Sequence, residues 1–169
     1  IGLASGTSES TVWHTFNHVQ DVLYLALLKG PDRTVRWPEA RETLPNGELS
    51  PFCREALSKM LLGLPGCIGY IDGTRIRIPK HMVGQGVEYS GKIKAHCLNH
   101  QVCVDLYGRF IHLASGAPGS VHDMYIWNTC EVARNRPQHF SADEFLMGDP
   151  GYVSKAEPNV LVPPRNCPA

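Results

Sequence analysis

The stretch Cys67-Ile68-Gly69-Tyr70-Ile71-Asp72-Gly73-Thr74 decides the fold, because there the hydrophobic rhythm changes from period 3.6 to period 2. Upstream, Phe52, Ala56, Leu57, Met60 and Leu61 repeat as one face of a helix running from Ser50-Pro51 to Leu62, with Ser50 as cap and Pro51 in the first turn. Gly63-Leu64-Pro65-Gly66 then breaks the chain. From Cys67 the text reads as a strand that closes on an acid, Asp72, followed by the alternating Arg75-Ile76-Arg77-Ile78. His96 to Val104 and Arg109 to Ala114 flank the turn Asp105-Leu106-Tyr107-Gly108 and predict a hairpin. Ala117-Pro118-Gly119 leads into a helix that starts at Ser120 and carries Val121, Met124, Ile126 and Trp127. Phe145-Leu146-Met147-Gly148-Asp149 is a fourth strand, again closing on an acid, and Val160-Leu161-Val162 a fifth. Strands interrupted by a helix predict an α/β (α+β) domain, a mixed sheet with a helix on one face.

Working towards the N-terminus, Thr7 or Ser8 caps a helix whose apolar residues fall at Val12, Phe16, Val19, Leu23 and Ala26/Leu27. Gly2-Leu3-Ala4-Ser5-Gly6 precedes it. The arrangement suits the second half of a helix-turn-helix, and equally an amphipathic helix that packs on its neighbours. The chain thus divides into a helical segment over 1–62 and a sheet-bearing core over 63–169. It begins on Ile1 without a Met and reads as a fragment or an incomplete gene model.

Composition narrows the function classes. Sixteen basic and sixteen acidic residues cancel, so contact with a polyanion has to come from a local patch. The longest apolar run, Val22 to Leu28, is far below the roughly 20 residues that span a bilayer, so no membrane partner is expected. Six cysteines show no CxxC pairing; they read as buried free thiols rather than zinc ligands or a disulfide framework.

Asp72 and Asp149 share one situation, each closing an apolar strand ahead of a Gly-containing turn. A carboxylate at the end of a buried strand is costly unless paired or bound to a cation. On neighbouring strands, two such groups would reach one divalent ion, as two-metal phosphoryl transfer requires, and carboxylate oxygens suit Mg²⁺ or Mn²⁺. Asp-Gly also starts ordinary turns, and that reading stays open for each residue alone. Ser120-Val121-His122-Asp123 reads as a capping box, which accounts for Asp123 by itself. Arg75, Arg77, Lys80, Lys92 and Lys94, against the single acid Glu88, form a local positive excess able to track a DNA backbone.

These segments together resemble one family, the Harbinger-type DDE transposases and their domesticated nuclease relatives. Leu64 to Thr74, Asn99-His100-Gln101-Val102 with Gly108-Arg109-Phe110, Pro118 to Asp123, and Leu146 to Tyr152 occur in the family's order. The resemblance implies a ribonuclease-H-like fold, with Asp72 and Asp149 as the first two catalytic acids and metal ligands. It raises Asp123 to a metal ligand or a residue acting beside one. It also implies a helix-turn-helix in the segment around Gly6 to Val12, a divalent cofactor (Mg²⁺ or Mn²⁺), DNA as substrate, a Myb-like companion protein and a nuclear location. A homo-oligomer is compatible with all of this. The family's third acid is a Glu a few dozen residues beyond the second Asp, whereas the sequence stops at Ala169, twenty residues past Asp149. Arg75 stands where relatives often have His. Two functions emerge: a metal-dependent endonuclease or transposase that cleaves and joins DNA strands, or a catalytically silent DNA-binding or scaffold protein of the same descent.

Overall fold

The computed structural model describes residues 35–80, 86–152 and 159–163. The chain divides into two compact units, Ile1–Arg36 and Trp37–Ala169, and the sheet with its helices belongs to the second. The expected helix over Thr7 to Leu28 lies outside the described residues, as does Cys167.

The second unit opens with helix α1 (Arg54–Met60), followed by β1 (Cys67–Arg77), the two-residue β2 (Tyr89–Ser90), β3 (Ala95–Asp105) and β4 (Phe110–Pro118). Three short helices come next, α2 (Asp123–Thr129), α3 (Glu131–Arg134) and α4 (Arg136–His139), and then β5 (Phe145–Gly148) and β6 (Val160–Leu161). Among the described residues six strands form one mixed sheet in the order β2-β3-β1-β5-β6, with β4 also on β3. β1 and β3 run antiparallel from Gly69↔Asp105 to Arg77↔Cys97, β5 lies parallel to β1, and β6 parallel to β5. This is the mixed sheet with flanking helices of a ribonuclease-H-like α/β domain.

Alternation on β3 is strict: Cys97, Asn99, Gln101, Cys103 and Asp105 are buried, and the residues between them half-exposed. The buried phase meets a core of Leu57 from α1, Ile68 and Ile71 from β1, Trp127 from α2, Val132 and Ala133 from α3, Phe140, Leu146 and Tyr152. Trp37 donates its indole N–H to the His139 carbonyl at 2.7 Å and packs edge-on against Phe140, which ties the start of this unit to its short helices. Cys53, Cys67, Cys97 and Cys103 are buried free thiols and Cys130 is buried too, as small apolar side chains in a core are expected to be. Among the described residues no helix is long and apolar enough to cross a membrane.

Three local expectations are corrected. Helix α1 begins at Arg54, not at Pro51: Ser50 caps nothing helical, its hydroxyl instead accepting from the Phe52 N–H at 3.4 Å within a turn. The inward face accordingly rotates to Arg54 and Leu57, leaving Phe52 and Met60 exposed at 38% and 43%. β1 does not end at Asp72 but continues through Gly73-Thr74 to Arg77, because β3 is long enough to go on pairing with it. The hairpin forms as expected, and Gly108 takes the left-handed φ of 81° that its turn demands.

Candidate metal centre

β1 and β5 set the site. Their parallel register pairs Ile71 with Gly148, so the next residues, Asp72 and Asp149, stand level where β5 gives out. β5 ends because Pro150 follows, and Pro150–Tyr152 fold into a 3-10 turn. Asp149 organises that turn: its Oδ1 accepts the Gly151 N–H at 2.9 Å and its carbonyl accepts the Tyr152 N–H at 3.0 Å. Asp72 stands in mid-strand, exposed, its Oδ1 accepting the N–H of Gly73 at 2.7 Å. By strand alternation it shares a face with Tyr70 and Thr74, and the three help line a hollow with Val102, Val104 and Phe110. Asp149 lies one residue past its strand, where that alternation no longer applies.

Asp123 approaches from the opposite face of β1. The capping box expected at Ser120-Val121-His122-Asp123 does not form: α2 starts at Asp123, with His122 as N-cap and no side-chain cap bond. The carboxylate turns instead to β1. Its Oδ1 sits 3.5 Å from Arg75 Nη2, in a pair whose side chains are only 16% and 15% exposed. It also fills the place a side chain at Gly73 would take, since a Cβ there would stand 2.6 Å from Oδ1. A Cβ at Gly151 would lie 2.9 Å from Asp149 Oδ1 and 3.5 Å from Asp123 Oδ2, so these two carboxylates flank the same glycine.

Beneath them lies Tyr152, fully buried, its ring against Gly148 and its hydroxyl 3.5 Å from Gln101 Oε1. Burial chiefly holds this phenol protonated far above its usual range, and the negative charges of Asp123, Asp72 and Asp149 push the same way. Sequence reading left Tyr152, Asn99 and Gln101 without roles. The signal for the last two was present, because both fall in the phase of Cys97 and Cys103 and so had to be buried polar groups.

The five basic residues part company. Arg77, Lys80, Lys92 and Lys94 are exposed, and Lys94 takes a left-handed φ of 51°. Arg75 is turned inward onto Asp123 and is not part of that exposed set.

The donors suit a small hard cation in kind: carboxylate oxygens, two of them exposed, with neither imidazole nor thiolate engaged. In number they fall short, since among the described residues no group of three or more His, Cys, Asp or Glu converges as metal ligands do. No curated protein and no solved structure matches the chain. The family model described as DDE superfamily endonuclease matches residues 71–168, a span that opens one residue before Asp72 and takes in Asp123 and Asp149. With more than half of its length matched, over the strands and the turn that carry these aspartates, the chain belongs to the DDE superfamily endonucleases.

Proposed function

We propose that the chain is the catalytic core of a Harbinger-type, divalent-metal-dependent DNA endonuclease or transposase, with Asp72 and Asp149 as its metal ligands and catalytic acids. The observation that carries this reading is the register of β1 on β5, which sets the two aspartates level, within a chain of endonuclease descent. When bound there, Mg²⁺ or Mn²⁺ would lower the pKa of the attacking water or 3′-hydroxyl and offset charge on the scissile phosphate. The protein's own part is to hold the two carboxylates on a rigid strand pair and to bring the DNA backbone to them. Arg77, Lys80, Lys92 and Lys94 are exposed cations suited to that second task. A nuclear location, a Myb-like companion protein and a homo-oligomer complete the proposal.

A second reading, a DNA-binding or scaffold protein without catalysis, is favoured by one observation: the described residues do not assemble three metal ligands. Cleavage of terminal-repeat DNA by the full-length protein with Mn²⁺ separates the two. Under the first reading Asp72→Ala and Asp149→Ala each reduce cleavage by at least about 100-fold while DNA affinity stays. Cleavage unaffected by Asp72→Ala would remove the nuclease reading. DNA binding with neither cleavage nor Mn²⁺ uptake selects the second.

A further inference from the structure

Asp123 is the acid whose surroundings differ most from those of the other two. Asp72 and Asp149 are exposed and, among the described residues, accept backbone N–H groups close by in the chain, from Gly73 and Gly151, whereas Asp123 is half-buried and held by a cation. Two glycines make room for it. A methyl at Gly73 would stand 2.6 Å from Asp123 Oδ1 and 2.9 Å from its Cγ, so the carboxylate seats directly on the β1 backbone. A methyl at Gly151 would stand 3.5 Å from Asp123 Oδ2 and 2.9 Å from Asp149 Oδ1. Arg75 closes the other side: its Nη2 lies 3.5 Å from Asp123 Oδ1, while its buried Nε has no hydrogen-bond partner among the described residues. A cation bound to Asp123 would share that carboxylate with a guanidinium that is itself nearly buried and has little water to retreat into.

We propose that Asp123 is a positioning residue and not a cation ligand: held by Arg75 in the Gly73 cradle, it abuts the Pro150–Tyr152 turn and through it fixes the carboxylate of Asp149. This inference rests on the reading of Asp72 and Asp149 as the metal-holding pair. The chain of contact is short. Asp123 borders Gly151, the Gly151 N–H is donated to Asp149 Oδ1, and Tyr152 anchors the turn with its ring on Gly148. Loss of the Asp123 side chain opens space beside Gly151 and lets Asp149 leave the geometry in which it stands level with Asp72.

Mn²⁺ titration of the full chain, read by electron paramagnetic resonance, tests it without recourse to cleavage. Asp123→Ala should weaken Mn²⁺ binding about tenfold, the usual scale for losing a group that orients a ligand. Asp123→Asn keeps the size and an oxygen for Arg75, and should restore affinity to within about threefold of wild type. If Asn is as damaging as Ala, the charge itself is needed, Asp123 is a ligand, and the inference fails. If Ala leaves affinity unchanged while lowering the melting temperature, the residue is merely structural, and the inference fails again. Should Asp123→Ala not fold, Arg75→Gln reads the same coupling, because it removes the guanidinium that holds Asp123 from 3.5 Å; an unaltered Mn²⁺ affinity there overturns the proposal. A wild-type chain that takes up no Mn²⁺, or whose uptake survives Asp72→Asn, sinks the metal-pair reading itself, and this inference with it.

Discussion

Replacing Arg54 by Met should destabilise the Trp37–Ala169 unit far more than the loss of a surface cation would. Arg54 Nε donates to Glu144 Oε2 at 2.8 Å, and both side chains are nearly buried, at 7% and 8% exposure. Arg54 Nη1 also donates to the Pro38 carbonyl at 2.8 Å, and Glu144 Oε2 also accepts the Ser141 N–H at 2.7 Å. Met fills much of the arginine stem's volume, so the main loss is electrostatic: Glu144 keeps its charge in a buried site with one donor left. Breaking one side of such a pair costs about 3–5 kcal/mol. For a unit of this size that corresponds to a fall in melting temperature on the order of 10–20 °C. Urea unfolding followed by circular dichroism should show the midpoint moving with the slope unchanged. The double variant Arg54→Met/Glu144→Gln removes the stranded charge and keeps an acceptor for Ser141, so it should recover at least about half of the loss. Lys59→Met, whose pair with Glu55 lies in solvent, serves as the unaffected control. The reasoning is refuted if Arg54→Met costs under about 1 kcal/mol, or if the double variant is no more stable than the single. The consequence reaches the candidate site, because Asn159 Nδ2 donates to the Glu144 carbonyl at 2.9 Å and the Leu146 N–H to the Asn159 carbonyl at 2.9 Å, fixing the strand that ends just before Asp149.

Two further outcomes are expected from other parts of the sheet. Gly69→Ala places a Cβ 2.1 Å from the Val104 carbonyl oxygen on the paired strand, so β1 and β3 must separate locally; the variant should lose at least about 3 kcal/mol or fail to fold, and a melt within about 2 °C of wild type (roughly half a kcal/mol) would contradict this packing. His112 is held down to about 4 by burial chiefly, with Glu131 opposing and His139 assisting. The unfolded chain therefore binds a proton near pH 6.5 that the folded one refuses until about pH 4. Stability is present in full above the higher value and drains away as pH falls between them, by up to about 3 kcal/mol. His112→Gln should flatten the stability–pH curve across that window, and an unchanged slope would disprove the assignment.

Much of the fold was legible in the sequence because it rests on local pattern. Period-2 runs announced β1, β3 and β4, an apolar run closing on an acid announced β5, and Asp105-Leu106-Tyr107-Gly108 announced the hairpin. The start of α1 and the cap of α2 were misread, because Ser50-Pro51 and Ser120-to-Asp123 carry valid helix-start chemistry. Tertiary partners outcompeted it: Glu144 drew Arg54 inward, and Arg75 drew Asp123 away from a cap. β2, α3 and α4 are too short for any periodicity to declare them.

Order along the chain determined which residues are candidates for the chemistry: acids after apolar runs, each ahead of a Gly-containing turn, on strands whose hydrophobic phase can be counted. Neighbourhood was beyond its reach. That Asp72 stands level with Asp149 depends on β5 pairing parallel with β1 across more than seventy residues of intervening chain, and that Asp123 meets Arg75 depends on where α2 crosses the sheet. Both are settled by burial of Trp127, Tyr152 and Leu146 in one shared core, an energy summed over the whole domain and invisible in any single window of sequence.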